Sequence, residues 1–223
     1  MKKQEHVRHY AFDFDYTLAE SSMGTILCAR HALEVLGFPC PDDTAIKRTI
    51  GLDLPTTFRT LTGVDDDELA EQFKYQFGIH ADEVMLDCIS FYDGVKTTLS
   101  NLKRDDMAVS IVSTKFGYRI EAALQRDGLD GLVDQVIGGD MVRNTKPNPE
   151  GLLRVMNAVG ASADETIYVG DSTTDGECAR RAGVAFLAVK TGEAEVDELI
   201  EFDPVAVLES VDQLSHWRLN AWR

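Results

Sequence analysis

The first apolar stretch of the chain repeats with a period of two. Over residues 7–14, every second position from Tyr10 onward is aromatic. Because residues two apart share one face of a β-strand, this period predicts a strand that ends near Phe14. The same period places Asp13 and Asp15 on one side, at the carboxyl end of that strand.

The pattern then changes to that of helices. Apolar residues recur at helical spacing over 24–37, and Gly37 is typical of a helix C-terminus. Three further segments have proline or acidic residues near their starts and glycine at their ends, as helices do: residues 41–51, 54–63 and 65–78. No strand is indicated between Thr17 and about Met85. The pattern therefore predicts a small all-helical unit over residues 18–85.

Beyond Tyr92, strand-like and helical segments alternate. The strand-like segments are 107–114, 133–139, 165–171 and 184–189. The helical segments between them are 117–128, 149–160 and 174–183. Such alternation predicts an α/β fold, a doubly wound parallel sheet with helices on both faces. We expect residues 1–17 and 86–223 to form this core, residues 18–85 to be inserted in it, and the acidic stretch 191–203 to be a solvated helix face.

Composition narrows the possible partners. The 223 residues carry 22 basic and 38 acidic side chains, for a formal charge of −16, which disfavours binding to nucleic acid or to anionic membranes. We expect a cytoplasmic protein, because no apolar signal core or long apolar run is present. Its oligomeric state is expected to be a monomer or a homodimer. The four cysteines form no C-x-x-C pair and are expected to be reduced thiols: Cys28, Cys40, Cys88 and Cys178.

Polar residues follow several of the predicted strands at the point where each ends. Besides the two acids after the first strand, these residues are Ser113, Thr114, Lys146, Asp171 and Asp175. Parallel strands bring their carboxyl ends to one edge of the sheet, which is where such sheets bind ligands. Ser113 or Asp175 alone is an ordinary capping residue. The full set indicates a functional site, because a buried cluster of like charges is costly.

Four short motifs lie at these strand ends, in the order DFDYT (13–17), VST (112–114), KPNP (146–149) and GDSTTD (170–175). In that order and spacing they resemble the haloacid dehalogenase-like superfamily of hydrolases, especially its phosphoglycolate phosphatase-like members. The resemblance spans almost the whole chain. It implies a Rossmann-like core and a helical cap that closes over the site and excludes water.

The resemblance also implies a chemical role for each motif. Asp13 would attack phosphorus and form an aspartyl-phosphate, which splits hydrolysis into two displacements. Asp15 would protonate the leaving oxygen and then activate the water that hydrolyses the intermediate. Ser113, Thr114 and Lys146 would bind the phosphoryl oxygens.

Magnesium is the cofactor that the resemblance implies. Asp13, the backbone carbonyl of Asp15 and Asp171 would hold Mg²⁺, a hard cation that prefers oxygen ligands. Thr17 and Asp175 would support these ligands or order the loop, and for Asp175 a role as a further metal ligand stays open. Without the cation, each carboxylate–phosphate pair at 4 Å would cost about 4 kcal/mol at an effective dielectric of 20, so several such pairs would exclude the substrate.

Some positions depart from the family pattern or have no clear role. Tyr16 stands where the family most often has glycine, which bears on the substrate range. The cations of the helical unit could meet a substrate carboxylate or second phosphate, although each alone is typical of a solvated surface charge: Lys47, Arg48, Arg59 and Lys74. His6 and His9 are interpreted as part of a polar terminus. No role is assigned to His31, His80 or His216.

The expected activity is Mg²⁺-dependent hydrolysis of a small phosphorylated metabolite, with 2-phosphoglycolate as the leading substrate. Pyrophosphatase, nucleotidase, phosphonatase and sugar-phosphate mutase activities are the alternatives. Thr25 and Leu54 stand where the mutases have a histidine and a phosphate-binding arginine, which argues against a mutase. A phosphonatase needs a lysine in the helical unit that forms a Schiff base, and Lys47 or Lys74 leaves this alternative open. A phosphorylatable receiver domain would lack both Asp15 and the helical insertion, and the complete residue set argues against a catalytically idle scaffold.

Overall fold

The structure, a computed structural model, describes residues 7–221. Eight strands lie within that range: β1 (His9–Phe12), β2 (Ala19–Glu20), β3 (Ser90–Phe91), β4 (Ala108–Val112), β5 (Gln135–Ile137), β6 (Thr166–Gly170), β7 (Ala185–Val189) and β8 (Ala206–Leu208). Six of them pair in parallel in the order β5–β4–β1–β6–β7–β8. The predicted α/β fold class is confirmed.

Helices connect these strands. They are α1 (Ser22–Val35), α2 (Asp43–Lys47), α3 (Leu54–Thr62), α4 (Asp67–Val84), α5 (Val95–Arg104), α6 (Gly117–Arg126), α7 (Glu150–Val159), α8 (Thr173–Ala182), α9 (Val196–Ile200) and α10 (Leu214–Ala221). Five elements are not among the predicted segments, namely β2, β3, α5, β8 and α10. No helix within residues 7–221 combines the length and apolar character that crossing a bilayer requires.

Alternate residues of each central strand face opposite sides of the sheet. In β1, Tyr10 and Phe12 pack into one apolar cluster with residues of α5, α6 and α10. Ala11 packs into a second cluster with residues of α7, α8 and α9. Because both faces of the sheet are covered, its strands are apolar on both sides, as the doubly wound arrangement requires.

The four helices between residues 22 and 84 pack mainly on one another, with α4 against α1 and α3. Their interior is aromatic, since the Phe73 ring lies 5.7 Å from Phe58 and 6.0 Å from Phe77. The expectation of no strand in this part of the chain is wrong in one detail. The two-residue strand β2 pairs antiparallel with β3, because the chain enters and leaves the helical unit side by side.

The first strand is shorter than predicted. β1 ends at Phe12, and the Asp13 N–H continues the ladder by donating to the Val169 carbonyl at 2.9 Å. The Phe14 carbonyl accepts from Leu18 at 2.9 Å, so the chain has already turned there. Asp13 therefore occupies the last ladder position, and Asp15 lies in the loop.

The interpretation of His9 as part of a polar terminus is wrong, and His6 lies outside the described residues. His9 is fully buried in β1, with its ring nitrogens 2.9 Å from the Ser110 hydroxyl and 3.1 Å from the Thr166 hydroxyl. These contacts join the three central strands. Burial lowers the pKa of His9 to about 4, so the ring is neutral at pH 7.

The buried imidazole predicts a loss of stability in acid. The ordinary pKa of histidine is 6.5 and that of His9 is about 4, so the unfolded chain binds the proton more tightly. The free energy of unfolding should therefore fall as the pH drops from about 6.5 towards 4, by up to about 1.4 kcal/mol per pH unit. Urea unfolding at a series of pH values measures this. His9→Gln keeps a donor and an acceptor without titrating and should show a shallower fall; equal slopes would count against the assignment.

Candidate active site

The carboxyl ends of the central strands form one edge of the sheet, as the sequence predicts. Phe12 is in register with Ile111 of β4 and with Val169 of β6. Asp13 and Asp171 therefore leave neighbouring strands at nearly the same level. Both side chains are buried, as are those of several residues brought to this edge: Asp15, Thr17, Ser113, Lys146 and Asp175.

Lys146 joins two of these carboxylates. Its ammonium group lies 2.7 Å from Asp13 Oδ1 and 2.7 Å from Asp175 Oδ1. The Tyr168 hydroxyl also donates to Asp175 Oδ1 at 3.1 Å, and the Ser172 hydroxyl donates to Asp175 Oδ2 at 2.6 Å. Asp175 thus uses both oxygens to hold protein groups, and it positions Lys146 beside Asp13.

Asp171 is held by the first loop. The Thr17 hydroxyl donates to Asp171 Oδ1 at 2.7 Å. Burial, together with repulsion from Asp175 and Asp13, raises the pKa of Asp171 well above its usual range. Burial likewise raises the pKa of Asp13 to about 7, although Lys146 opposes the shift. The raised pKa values show that the nearby positive charge does not fully compensate these two carboxylates.

A divalent cation fits this donor set. Carboxylate oxygens of Asp13, Asp171 and Asp175 lie within 4.8 Å of one another, and all three residues are buried. Since Asp175 is already partnered on both oxygens, Asp13 and Asp171 offer the available carboxylates. Oxygen donors of this kind suit Mg²⁺ better than softer metals.

Lys115 is a buried cation that the sequence analysis missed. Its ammonium group lies 3.1 Å from Asp15 Oδ1, with side chains 6% and 8% exposed, and the Ser21 hydroxyl donates to the same oxygen. Lys115 directly follows the VST motif, and this position was the available signal. When all four acids are ionised, two lysines and one divalent cation would balance their charge: Asp13, Asp15, Asp171 and Asp175.

Ser113 and Thr114, the two predicted phosphate-binding residues of the VST motif, lie in different surroundings. The Ser113 N–H donates to the Ile137 carbonyl at 3.1 Å, and the Ser113 hydroxyl accepts from the Lys115 N–H at 3.3 Å. Thr114 lines the main cavity together with Asp15 and Lys146. The structure thus brings Thr114, Asp15 and Lys146 to one space, with Ser113 buried at the end of β4.

That cavity has a volume of about 540 Å³ and lies between the helical unit and the sheet edge. Its acidic lining residues are Asp15 and Asp53. Its basic lining residues are Lys74, Lys115, Arg119, Arg143, Lys146 and Arg181. Five of these six cations are ion-paired with acidic side chains, and the sixth is the exposed Arg143. The cavity therefore offers cationic groups to an anion, although most of them already have an acidic partner.

Of the four cations singled out in the helical unit, Lys74 lines this cavity, where it also pairs with Glu71 at 3.2 Å. Arg59 instead pairs with Asp65 and Asp67. The remaining two line a second cavity of about 350 Å³ on the side of Asp171: Lys47 and Arg48.

Tyr16 and the loop after β7 complete the site. Tyr16 has φ 60°, the left-handed region that glycine adopts most easily, and its side chain is buried. The Thr191 hydroxyl donates to the Tyr16 carbonyl, which ties the first loop to the end of β7. Thr191 and Gly192 are not singled out as site residues from the sequence, although their position directly after a predicted strand was the available signal.

The comparisons with known proteins agree with this geometry. The model of one family, described as haloacid dehalogenase-like hydrolase, matches residues 10–189. The chain belongs to the haloacid dehalogenase-like hydrolase family. The resemblance stated from the four motifs is thereby confirmed, and the residue that occupies the family's usual glycine position, Tyr16, keeps a glycine-like backbone.

Relatives within the haloacid dehalogenase-like family cover most of the chain. A pyrophosphatase PpaX of Halalkalibacterium halodurans is 32% identical over 206 residues, 91% of this chain and 93% of the relative. A phosphoglycolate phosphatase of Pseudomonas savastanoi pv. phaseolicola is 29% identical over 210 residues, 91% of this chain and 76% of the relative. The crystal structure of a haloacid dehalogenase-like hydrolase from Bacteroides fragilis has a TM-score of 0.91 and 37% identity, and covers 93% of this chain and 99% of that one.

Proposed function

We propose that this protein is a Mg²⁺-dependent phosphatase that hydrolyses a small phosphomonoester through an aspartyl-phosphate on Asp13. The observation that carries the proposal is the position of Asp13, at the last ladder site of the central strand. There it is 2.7 Å from Lys146, and its carboxylate approaches that of Asp171 within 4.8 Å. An isolated buried carboxylate would be costly, whereas one beside an ammonium group and a metal site is ready to accept a phosphoryl group.

In the first step an oxygen of Asp13 attacks phosphorus, and the bond from phosphorus to the leaving oxygen breaks. Asp15 gives its proton to that leaving oxygen. Lys146, which holds Asp13 Oδ1, is placed to contact the phosphoryl oxygens as negative charge moves onto them. The chemistry that Mg²⁺ supplies when bound is neutralisation of the charge on those oxygens.

In the second step Asp15 takes a proton from water, the water oxygen attacks phosphorus, and the carboxylate of Asp13 is released. Lys115 and the Ser21 hydroxyl both contact Asp15 Oδ1. These contacts orient the Asp15 carboxylate so that its second oxygen can exchange the proton. Phosphate is the product, and both acids return to their starting state.

The lining of the main cavity favours a substrate whose leaving group is itself anionic. Lys115, Arg119 and Arg143 line the same cavity as Asp15. Lys115 contacts Asp15 and Arg119 pairs with Asp82, so the exposed Arg143 is the cation we expect to meet the leaving group. Thr25 and Leu54, which replace the histidine and arginine of the mutases, also line the cavity, so hydrolysis is favoured over phosphoryl shuttling. We propose 2-phosphoglycolate as the leading substrate and pyrophosphate as the second, because relatives with those activities cover most of the chain.

The proposed nucleophile and metal predict a defined loss of activity. Phosphate release from 2-phosphoglycolate should require Mg²⁺, stop in excess EDTA and return when Mg²⁺ is restored. Asp13→Asn should lose turnover by at least about 10⁴-fold, in line with losses seen for other catalytic nucleophiles, while its thermal midpoint with EDTA stays close to that of the parent protein. Turnover by Asp13→Asn, or full activity in EDTA, would refute the proposed mechanism.

The cationic cavity predicts discrimination between substrates of similar size. Ethyl phosphate resembles 2-phosphoglycolate but lacks its carboxylate. A hydrogen bond to a charged group contributes about 1.5–3 kcal/mol, so kcat/KM should be at least about tenfold higher for 2-phosphoglycolate. Arg143→Gln, which removes one cavity cation, should lower the ratio of the two kcat/KM values, whereas Lys96→Gln, at an exposed position of α5, should not. Equal kcat/KM values for the two esters would contradict the proposed preference for an anionic leaving group.

A further inference from the structure

The segment that follows β7 contacts both parts of the proposed metal site, the first loop and Asp171. The Lys190 N–H extends the ladder of β7 by donating to the Leu208 carbonyl at 3.0 Å, so the segment starts from a fixed backbone. The next two residues are Thr191 and Gly192. One contacts the first loop beside Asp15, and the other contacts Asp171.

Gly192 lies directly against the carboxylate of Asp171. A Cβ atom at position 192 would lie 2.0 Å from Asp171 Oδ2, 2.7 Å from its Cγ and 2.9 Å from its Cβ. Rotation of the carboxylate would not relieve the clash, because the Cβ atom of Asp171 does not move with that rotation. The backbone of residue 192 or 171 would have to shift, so Gly192 sets how far the Asp171 carboxylate can turn towards the loop.

Thr191 holds the opposite side of the same site. Its hydroxyl donates to the Tyr16 carbonyl, and the peptide bond before Tyr16 carries the carbonyl of Asp15. The Tyr16 N–H donates to the Ala19 carbonyl at 2.8 Å. With both its N–H and its carbonyl bonded, Tyr16 keeps its φ of 60°, which fixes the direction of the Asp15 carbonyl.

We propose that Thr191 and Gly192 are positioning residues of the Mg²⁺ site. The close approach of Gly192 limits how far the Asp171 carboxylate can turn, and Thr191 orients the Asp15 carbonyl. This inference rests on the proposed function, because the cation is the one required there. Neither residue offers a group to the metal or to the substrate. Their effect is on how well the two oxygen ligands are placed before the cation arrives.

The test is calorimetric titration of Mg²⁺ into the substrate-free protein. Gly192→Ala should weaken Mg²⁺ binding by roughly 10- to 100-fold, the range found when groups that orient metal ligands are altered. Its kcat at saturating Mg²⁺ should largely recover, because the catalytic side chains are intact. Gly131→Ala is the matched control, since Gly131 has no atom within 4 Å of an added Cβ and an ordinary φ. It should bind Mg²⁺ like the parent protein.

Thr191→Val tests the second contact without the clash, and it serves if Gly192→Ala fails to fold. It keeps the side-chain shape, loses the donor to Tyr16 and should also weaken Mg²⁺ binding, with its thermal midpoint in EDTA close to that of the parent. Parent-like Mg²⁺ affinity in the folded variants would overturn the inference and leave the proposed function standing. A parent protein that binds no Mg²⁺ would overturn both.

Discussion

The site depends on compensation of buried negative charge. Four aspartates meet at one edge of the sheet, namely Asp13, Asp15, Asp171 and Asp175. Lys146 bridges two of them and Lys115 contacts a third, so a divalent cation is the remaining charge that the arrangement calls for. Removing a lysine from such a buried set typically costs 3–5 kcal/mol, because a carboxylate is left without compensation. The same constraint that keeps the edge folded prepares it for a phosphoryl group.

The fold explains how residues so distant in sequence meet. Parallel strands send every carboxyl end to the same edge, and the helical unit between Ala19 and Phe91 is tethered there by the short β2–β3 pair. The cavity under that unit is rich in cations although the chain is strongly acidic. In the proposed reaction the sheet supplies the reacting groups, and the space beneath the helices receives the leaving group of the anion.

Strand periodicity predicts five of the six parallel strands and misses β8, and strand-end chemistry singles out Asp13, Asp15, Lys146 and Asp171. Other features lay beyond sequence reasoning because they arise from tertiary contact. Gly192 carries no functional group, and its importance comes from a carboxylate that approaches it across the sheet edge. The burial of His9 between two hydroxyl groups could not be read from a polar N-terminal stretch, since those partners lie 101 and 157 residues away in sequence.

The most direct test of charge compensation is the binding of inorganic phosphate, the expected product, measured by calorimetry. With saturating Mg²⁺ the protein should bind phosphate. In EDTA the affinity should fall at least about 100-fold, because one uncompensated charge pair at 4 Å is worth about 4 kcal/mol at an effective dielectric of 20. Equal affinity with and without the metal would contradict the account, since the carboxylates would then need no cation to admit the anion.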